Sequence, residues 1–366
     1  MFVSVQDIQP IYFTKEQTDI YIAATHDFDE GILTFKPRPW VSPFNQQDHQ
    51  CTIDTLLPVF MAPTEYDLPH YSNKTNIAVY GIPNGLGGDK KHGYYLVHIS
   101  DMNTDNKKEP MVFVCFFGQT LSNFCECDTH TGFIQNSEDG KFKNSEYYFQ
   151  QVKAAIISAI APDQFLENFK LTAYSTSGDD SKKATSAKSM PNVPADAMQK
   201  WNECSTGAML SIFLAKCCNP DLHRVLLNTQ LFATQHLKVP KQNVHWFEIC
   251  PFGDGVWGAK PDFVMDADNN KLPMVQAVLN AIITKNFDVS GDSTTSEAFP
   301  GTNKMGMVIK TALDLLEDKE TGHIIQNLEQ VRDIVADINK QYPLIILNAP
   351  EAMMEEDEQQ SKKMKV

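Results

Sequence analysis

The stretch SEYYFQQVKAAIISAIA, Ser145–Ala161, marks the change from extended segments to helices in this chain. Its apolar side chains recur at helical spacing, and Pro162 follows directly, so a helix is expected to end there. Ser145 is of a residue type that commonly caps a helix. The stretch therefore predicts an amphipathic helix with its apolar side packed in a core.

The same helix carries a row of polar groups. Glu146, Gln150 and Lys153 stand at i, i+4 and i+7, beside the apolar face. Glu146 falls in the first turn, where the helix dipole favours the ionised carboxylate. Such a group suits a base, or a stabiliser of positive charge, better than a proton donor. An ordinary glutamate on a solvent-facing side is the alternative, and the pattern leaves both open.

Downstream, helical segments alternate with short apolar runs typical of strands. The segment Ser175–Pro194 is rich in Ser, Thr, Asp and Lys and predicts a solvated loop. Helices are predicted over Pro194–Cys218, from Asn219-Pro220 through Leu227, over Pro273–Phe287 and Asn303–Leu316, and over 324–338. Strands are predicted at Met111–Phe117, His245–Cys250 and Pro343–Asn348.

Upstream, residues 1–105 read as short extended segments separated by Pro, Asn and Gly. The strand candidates are Ile20–Ala23, Ile32–Phe35, Asn76–Tyr80 and Tyr94–Ile99. The polar stretch Asp101–Pro110 predicts a domain boundary. The predicted class is therefore α+β, with helices packed around a small sheet over 111–345. A β-rich accessory region over 1–105 and a disordered tail over 351–366 complete the expected organisation.

Composition limits the classes of partner. The chain has 31 Lys and Arg against 46 Asp and Glu, a formal net charge of −15, which disfavours binding to extended duplex DNA. No apolar run approaches the roughly 20 residues of a membrane span, and the start lacks the layout of a secretory signal. Eight cysteines and ten histidines show no metal-ligand spacing. We therefore expect a cytoplasmic protein without membrane contact or bound metal; protein partners are not predicted.

A second polar segment follows the predicted strand at His245–Cys250. It reads FGDGVWG, Phe252–Gly258, and its three glycines indicate a tight turn. Asp254 and Trp257 could place a carboxylate and a flat aromatic face in one cleft. The alternative is a structural Asx-turn with a core tryptophan. Trp201 likewise reads either as a stacking surface or as core, and Asn123 alone would read as part of a turn.

Taken in order, these segments resemble the NADAR family, which includes riboflavin-intermediate N-glycosidases and hydrolases that remove ADP-ribose from guanine. The matching motifs are Ser122-Asn123-Phe124, Ser145-Glu146-Tyr147-Tyr148-Phe149-Gln150 with Lys153, Trp201, Leu226-Leu227-Asn228-Thr229, Glu248, Asp254-Gly255-Val256-Trp257-Gly258 and Asn303-Lys304-Met305-Gly306. They span about residues 111–316. The family's usual Gly-Arg stretch is replaced here by the Ser/Lys-rich segment, and residues 260–300 are an insertion.

The resemblance implies a NADAR-like fold and an active site without cofactor or metal. It implies that Glu146 and Asp254 are catalytic, without deciding which is acid and which is base. The substrate-binding residues that it implies are Asn123, Phe124, Lys153, Trp201, Trp257, Gly258 and Asn303. Basic groups for a phosphate would have to come from residues such as Lys182, Lys183 or Lys188.

The predicted function is a hydrolase that cleaves a base–ribose N-glycosidic bond. Its substrate would be a small molecule, either a phosphorylated nucleoside-like metabolite or an ADP-ribosylated guanine. One alternative is a non-catalytic ADP-ribose- or nucleotide-binding module, against which the presence of both Glu146 and Asp254 argues. Another is a scaffold that works through the N-terminal region and the acidic tail.

Overall fold

Helices and strands are mixed in this chain, in agreement with the predicted α+β class. The computed structural model describes residues 3–25, 76–82, 93–104, 107–117, 121–123, 144–175, 177–250, 256–260, 268, 274–284 and 302–347. The strand candidate Ile32–Phe35, the tail over 351–366 and the site residues Phe124 and Asp254 lie outside them. The chain divides into two units, which are described separately.

Unit 1 comprises residues 1–3, 42–125 and 220–330 and contains a four-stranded sheet. Its strands are, in spatial order, β2 (Ile77–Ile82), β3 (Gly93–Thr104), β4 (Lys107–Phe117) and β5 (Val244–Glu248). The pairs β2–β3 and β3–β4 are antiparallel, whereas β4 and β5 are parallel. The predicted strands at Asn76–Tyr80, Tyr94–Ile99, Met111–Phe117 and His245–Cys250 are thus confirmed.

Both faces of this sheet are covered, which explains why β4 is apolar without alternation. On one face, Phe113 and Phe247 pack with Val278 of α7 (Met274–Thr284). On the other, the hydroxyl of Tyr94 lies 2.6 Å from that of Thr229, in α6 (Pro220–Leu231). Two buried faces require apolar side chains at consecutive positions along the central strand.

The polar stretch Asp101–Pro110 is not a linker, and the predicted accessory region over 1–105 is wrong in this respect. Its described residues belong to β3 and β4, in which Met102 pairs with Glu109 and Thr104 pairs with Lys107. Strands on both sides of the predicted boundary therefore share one sheet. Polar residues suit hairpin turns as well as linkers, so composition could not separate the two.

Unit 2 comprises residues 4–41, 126–219 and 331–366 and is mainly helical. Its helices are α1 (Lys15–Thr25), α2 (Ser145–Ile160), α3 (Pro162–Ala173), α4 (Gly178–Ala184) and α5 (Ala195–Cys217). The short strands β1 (Ile11–Tyr12) and β8 (Ile345–Ile346) pair in parallel. The helices predicted at Ser145–Ala161 and Pro194–Cys218 and the strand predicted at Pro343–Asn348 are confirmed.

The predicted strand Ile20–Ala23 is wrong, because these residues lie in α1. Thr14 and Gln17 form a reciprocal cap before this helix, through bonds of 3.1 and 3.2 Å between side chain and backbone. This capping pattern is a local helix signal that outweighs a short apolar run. The ring of Phe13, just before α1, packs edge-on against Phe169 of α3. The N-terminal segment is therefore part of the core of unit 2.

The predicted solvated loop Ser175–Pro194 is also wrong, because it contains α4. Ser177 caps this helix by accepting a hydrogen bond from the Asp180 N–H at 3.1 Å. Further along, Met190 is buried in a cluster with Phe165. The Ser and Thr residues that suggested disorder serve as caps and buried hydrogen-bonding groups.

The remaining elements follow the predictions with shifted bounds. A π-helical turn, Phe232–His236, follows α6, and α8 covers Lys304–Leu315. The helix predicted over 324–338 begins only at Leu328, as α9 (Leu328–Gln341). Ile324 lies instead in the two-residue strand β7 (His323–Ile324), which pairs with β6 (Glu317–Asp318). Within the described ranges, no helix combines the length and apolar character needed to cross a bilayer.

Candidate active site

The start of α2 is fixed by Asn144, not by Ser145 as predicted. The Asn144 Oδ1 atom accepts the Tyr147 N–H at 3.1 Å, and Ser145 is the first helical residue. Gly178, at the start of α4, lies so close that a Cβ there would collide with the Asn144 side chain. The glycine therefore allows α4 to pack against the first turn of α2.

Glu146 is buried in unit 2, with 6% of its surface exposed. Its Oε1 atom accepts a hydrogen bond of 2.8 Å from Gln150 Nε2, and Lys182 Nζ lies 3.8 Å away. The alternative of a solvent-facing glutamate is therefore wrong. The basic Ser/Lys-rich segment supplies the cation, because Lys182 belongs to α4.

Burial raises the pKa of the Glu146 carboxyl above its ordinary value, and nearby Asp179 adds to this. Lys182, the hydrogen bond from Gln150 and Lys153 act in the opposite direction and lower the pKa, but they do not cancel the effect of burial. The helix dipole was expected to favour the ionised form, but burial outweighs such effects and favours the protonated form. A raised pKa moves a carboxyl towards the range in which general acids and bases work.

Thr185, at the end of α4, contacts the two other polar residues of the row on α2, Gln150 and Lys153. Its hydroxyl donates to Gln150 Oε1 at 2.5 Å, and its carbonyl accepts a 3.1 Å hydrogen bond from Lys153 Nζ. We call Glu146, Gln150, Lys153, Lys182 and Thr185 the Glu146 cluster. The sequence predicted the three members on α2 but missed Thr185, since its segment was interpreted as a loop.

Replacing Lys182 tests the charge balance of the cluster. We expect Lys182→Ala to raise the pKa of Glu146 further, because a cation near a carboxylate favours its ionised form. The coupling should be weak, about 0.2–1 kcal/mol, because the Lys182 side chain is 58% exposed. Carboxyl ¹³C NMR titration of Glu146 would measure it.

Lys183→Ala is the matched control, because the neighbouring Lys183 pairs with Asp180 at 3.2 Å instead. It should leave the Glu146 titration unchanged. Equal shifts in the two variants would show that Lys182 acts only through the general charge of α4.

In unit 1, Gly258 and Ala259 lie against the end of β5. Ala259 N donates to Glu248 O at 2.7 Å, and Cys250 N donates to Ala259 O at 2.9 Å. A Cβ on Gly258 would stand 2.7 Å from Glu248 O and would collide with Cys250 Sγ. The structure thus gives Gly258, predicted to bind substrate, a packing role that excludes any side chain.

Asn303 stands directly before α8 in the left-handed backbone region, with φ of 43°. It is 1% exposed, and its Nδ2 atom donates to Trp246 O at 2.8 Å. Its Oδ1 atom, like that of Asn123 in the same unit, is buried and has no hydrogen-bond partner among the described residues. A Cβ on Gly306 would collide with Trp246 O, which explains the Asn-x-x-Gly spacing.

Trp257 and Trp201 have different environments. Trp257 in unit 1 is only partly buried, and Lys304 Nζ lies 5.8 Å from the centre of its ring. Trp201 in unit 2 is 7% exposed, and its ring packs 4.8 Å from that of Phe149. A ring buried against another ring offers little surface to a ligand, so Trp201 is a core residue.

The structure therefore places the predicted site residues in two groups. Glu146 and Lys153 lie together in unit 2, whereas Asn123, Trp257, Gly258 and Asn303 belong to unit 1. Within the part of the chain that is described, no group of three or more His, Cys, Asp or Glu side chains could hold a metal ion. No protein-family model matches the chain, and neither does any curated protein or solved structure.

Truncating Trp201 and truncating Trp257 should affect stability and ligand binding differently. Trp201→Ala should cost about 3–5 kcal/mol of unfolding free energy, because a buried aromatic is lost. Trp257→Ala should cost well under that, since part of its ring already faces water, and should mainly weaken binding of ADP-ribose or a nucleotide. Denaturant unfolding and ligand titration of both variants measure these effects. Unchanged affinity with a large loss of stability in Trp257→Ala would remove Trp257 from the site.

Proposed function

We propose that this chain is an N-glycosidase with a NADAR-like fold, which hydrolyses a base–ribose bond. The substrate class is a phosphorylated nucleoside-like metabolite or an ADP-ribosylated guanine. The observation that carries the proposal is the buried Glu146 carboxyl, hydrogen-bonded by Gln150 and facing Lys182. The order of motifs that resembles the family adds to it.

The chemistry requires a carboxyl of this kind. Breaking a base–ribose bond builds positive charge at the anomeric carbon and negative charge on the departing base. A carboxylate in a low-dielectric setting can stabilise that positive charge or take a proton from the attacking water. We assign one of these roles to Glu146. Gln150 holds the carboxyl in one orientation, and Asp254 takes the second carboxyl role that the resemblance implies.

The ligand contacts are assigned from the resemblance and from the environment of each residue. Trp257 has a partly exposed ring that could stack on a base, and Asn303 has an amide oriented by Trp246. The resemblance assigns ribose or phosphate oxygens to Lys153 and to Asn123 separately. A net charge of −15 favours a small substrate over duplex DNA, and we propose a cytoplasmic location.

The buried carboxyl favours an enzyme over a binding module. Burying an ionisable group costs stability, and a module that only recognises an anionic ligand gains nothing from a buried negative charge. A buried carboxyl whose pKa is raised by desolvation is typical of catalytic sites. The Glu146 cluster therefore supports turnover more than recognition.

Incubating the purified chain with two substrates tests the proposal. One is a phosphorylated riboflavin-pathway intermediate, and the other is ADP-ribosylated guanosine. Mass spectrometry should detect the free base, or the guanine-containing product, together with the released ribose phosphate or ADP-ribose. Binding without product would support the binding module instead. Neither binding nor product with either substrate would contradict both functions.

A further inference from the structure

Thr185 lies at the end of α4, in the segment that departs from the family pattern. Its side chain is buried, with 2% exposed, and its hydroxyl donates to Gln150 Oε1 at 2.5 Å. On its other end, the Gln150 amide donates to Glu146 Oε1 at 2.8 Å. The hydroxyl, the amide and the carboxyl therefore form a continuous chain of hydrogen bonds.

We infer that Thr185 is a positioning residue whose hydroxyl fixes the Gln150 amide so that its NH₂ group faces Glu146. An amide has an oxygen end and a nitrogen end of nearly equal size, so shape alone does not select one orientation. A hydroxyl that donates to the oxygen end selects it chemically. The NH₂ end is then the one that meets the carboxylate.

The competing acceptors for the Thr185 hydroxyl are weaker. The carbonyls of Ser181 and Lys182 lie 3.2 and 3.4 Å away, against 2.5 Å for Gln150 Oε1. The Ser181 carbonyl also already accepts the Thr185 N–H. The Gln150 oxygen is therefore the main partner of this hydroxyl.

Thr185 is itself held in place. Its carbonyl accepts the ammonium of Lys153 at 3.1 Å, and it is the C-terminal cap of α4. These contacts fix the backbone of Thr185, so its Cβ stays beside Gln150. The end of α4 thus sets the orientation of the Gln150 amide on α2.

The consequence concerns the proton affinity of Glu146. The hydrogen bond from Gln150 is one of the interactions that oppose the effect of burial on its pKa; Lys182 and Lys153 also lower the pKa, and Asp179 raises it. If the amide turned its oxygen to the carboxylate, an attraction would become a repulsion, and the protonated form would be favoured. The effect on turnover rests on the proposed function, whereas the effect on the carboxyl does not.

The test compares Thr185→Val with Thr185→Ser. Valine keeps the shape and removes the hydroxyl, whereas serine keeps the hydroxyl. Carboxyl ¹³C NMR of Glu146 in the full chain should show a higher pKa in Thr185→Val and a wild-type titration in Thr185→Ser. At a pH where wild-type Glu146 is ionised, turnover of the cleaved substrate should fall about two- to tenfold in the valine variant only.

Two results would overturn the inference. One is an unchanged Glu146 titration in folded Thr185→Val, and the other is a Thr185→Ser variant that behaves like the valine one. If the valine variant does not fold, Thr185→Cys offers a weaker donor of similar size and should shift the titration in the same direction. A shifted titration in a chain that cleaves neither substrate would uphold Thr185 and contradict the proposed function.

Discussion

Glu146→Gln is expected to abolish turnover, a loss of about 10²–10⁴-fold, while leaving the protein folded. The amide keeps the shape of the side chain, and its oxygen can still accept the hydrogen bond from Gln150. Only the ability to carry a charge or exchange a proton is removed. Activity by mass spectrometry and unfolding by urea would be measured on the same preparation.

The same variant should become relatively more stable than wild type as pH rises. Because burial raises the folded-state pKa of Glu146, its contribution to stability is present below the ordinary pKa and is lost as pH rises through the raised one. The amide that replaces the carboxyl does not titrate, so the difference between the two proteins should grow as pH rises from the ordinary pKa of a glutamate through the raised one.

Glu203→Gln is the matched control, because Glu203 lies exposed on α5 in the same unit. It should keep wild-type activity. Wild-type rates in Glu146→Gln would make this residue structural and would contradict the proposed mechanism. A stability difference that does not change with pH would contradict the raised pKa.

Deletion of residues 1–105 is expected to prevent folding. It removes β2 and β3. Strand β4 then loses β3, the antiparallel neighbour with which it pairs from Lys107 to Phe117. It also removes Phe13 and Tyr21, whose rings are fully buried in unit 2. The remaining chain would expose two apolar cores and should be insoluble or molten, by solubility, near-UV circular dichroism and dye binding.

Deleting residues 351–366 is the control, because the sequence predicts a disordered tail there. That variant should stay soluble and melt cooperatively at the wild-type temperature. If the chain 106–366 instead folds cooperatively, the prediction of a separate accessory region over 1–105 would be supported.

Several elements were predictable because their signals are local. The periodic apolar residues and Pro162 delimit α2, and the uninterrupted apolar run marks β4. The errors occurred where one composition fits two structures. The polar stretch Asp101–Pro110 suits a linker or a hairpin end, and Ser175–Pro194 suits a loop or a capped helix. The Ser177-x-x-Asp180 cap was a usable signal for α4.

The candidate site divides in the same way. That Glu146, Gln150 and Lys153 share one face of a helix could be read from the sequence, because it follows from 3.6 residues per turn. The burial of Glu146, its pairing with Lys182 and the bond from Thr185 to Gln150 depend on tertiary packing. These facts depend on α4 packing against the start of α2, from which it is well separated along the chain. Contacts of that kind, and the desolvation that raises a pKa, arise from long-range packing and leave no periodic trace in the sequence.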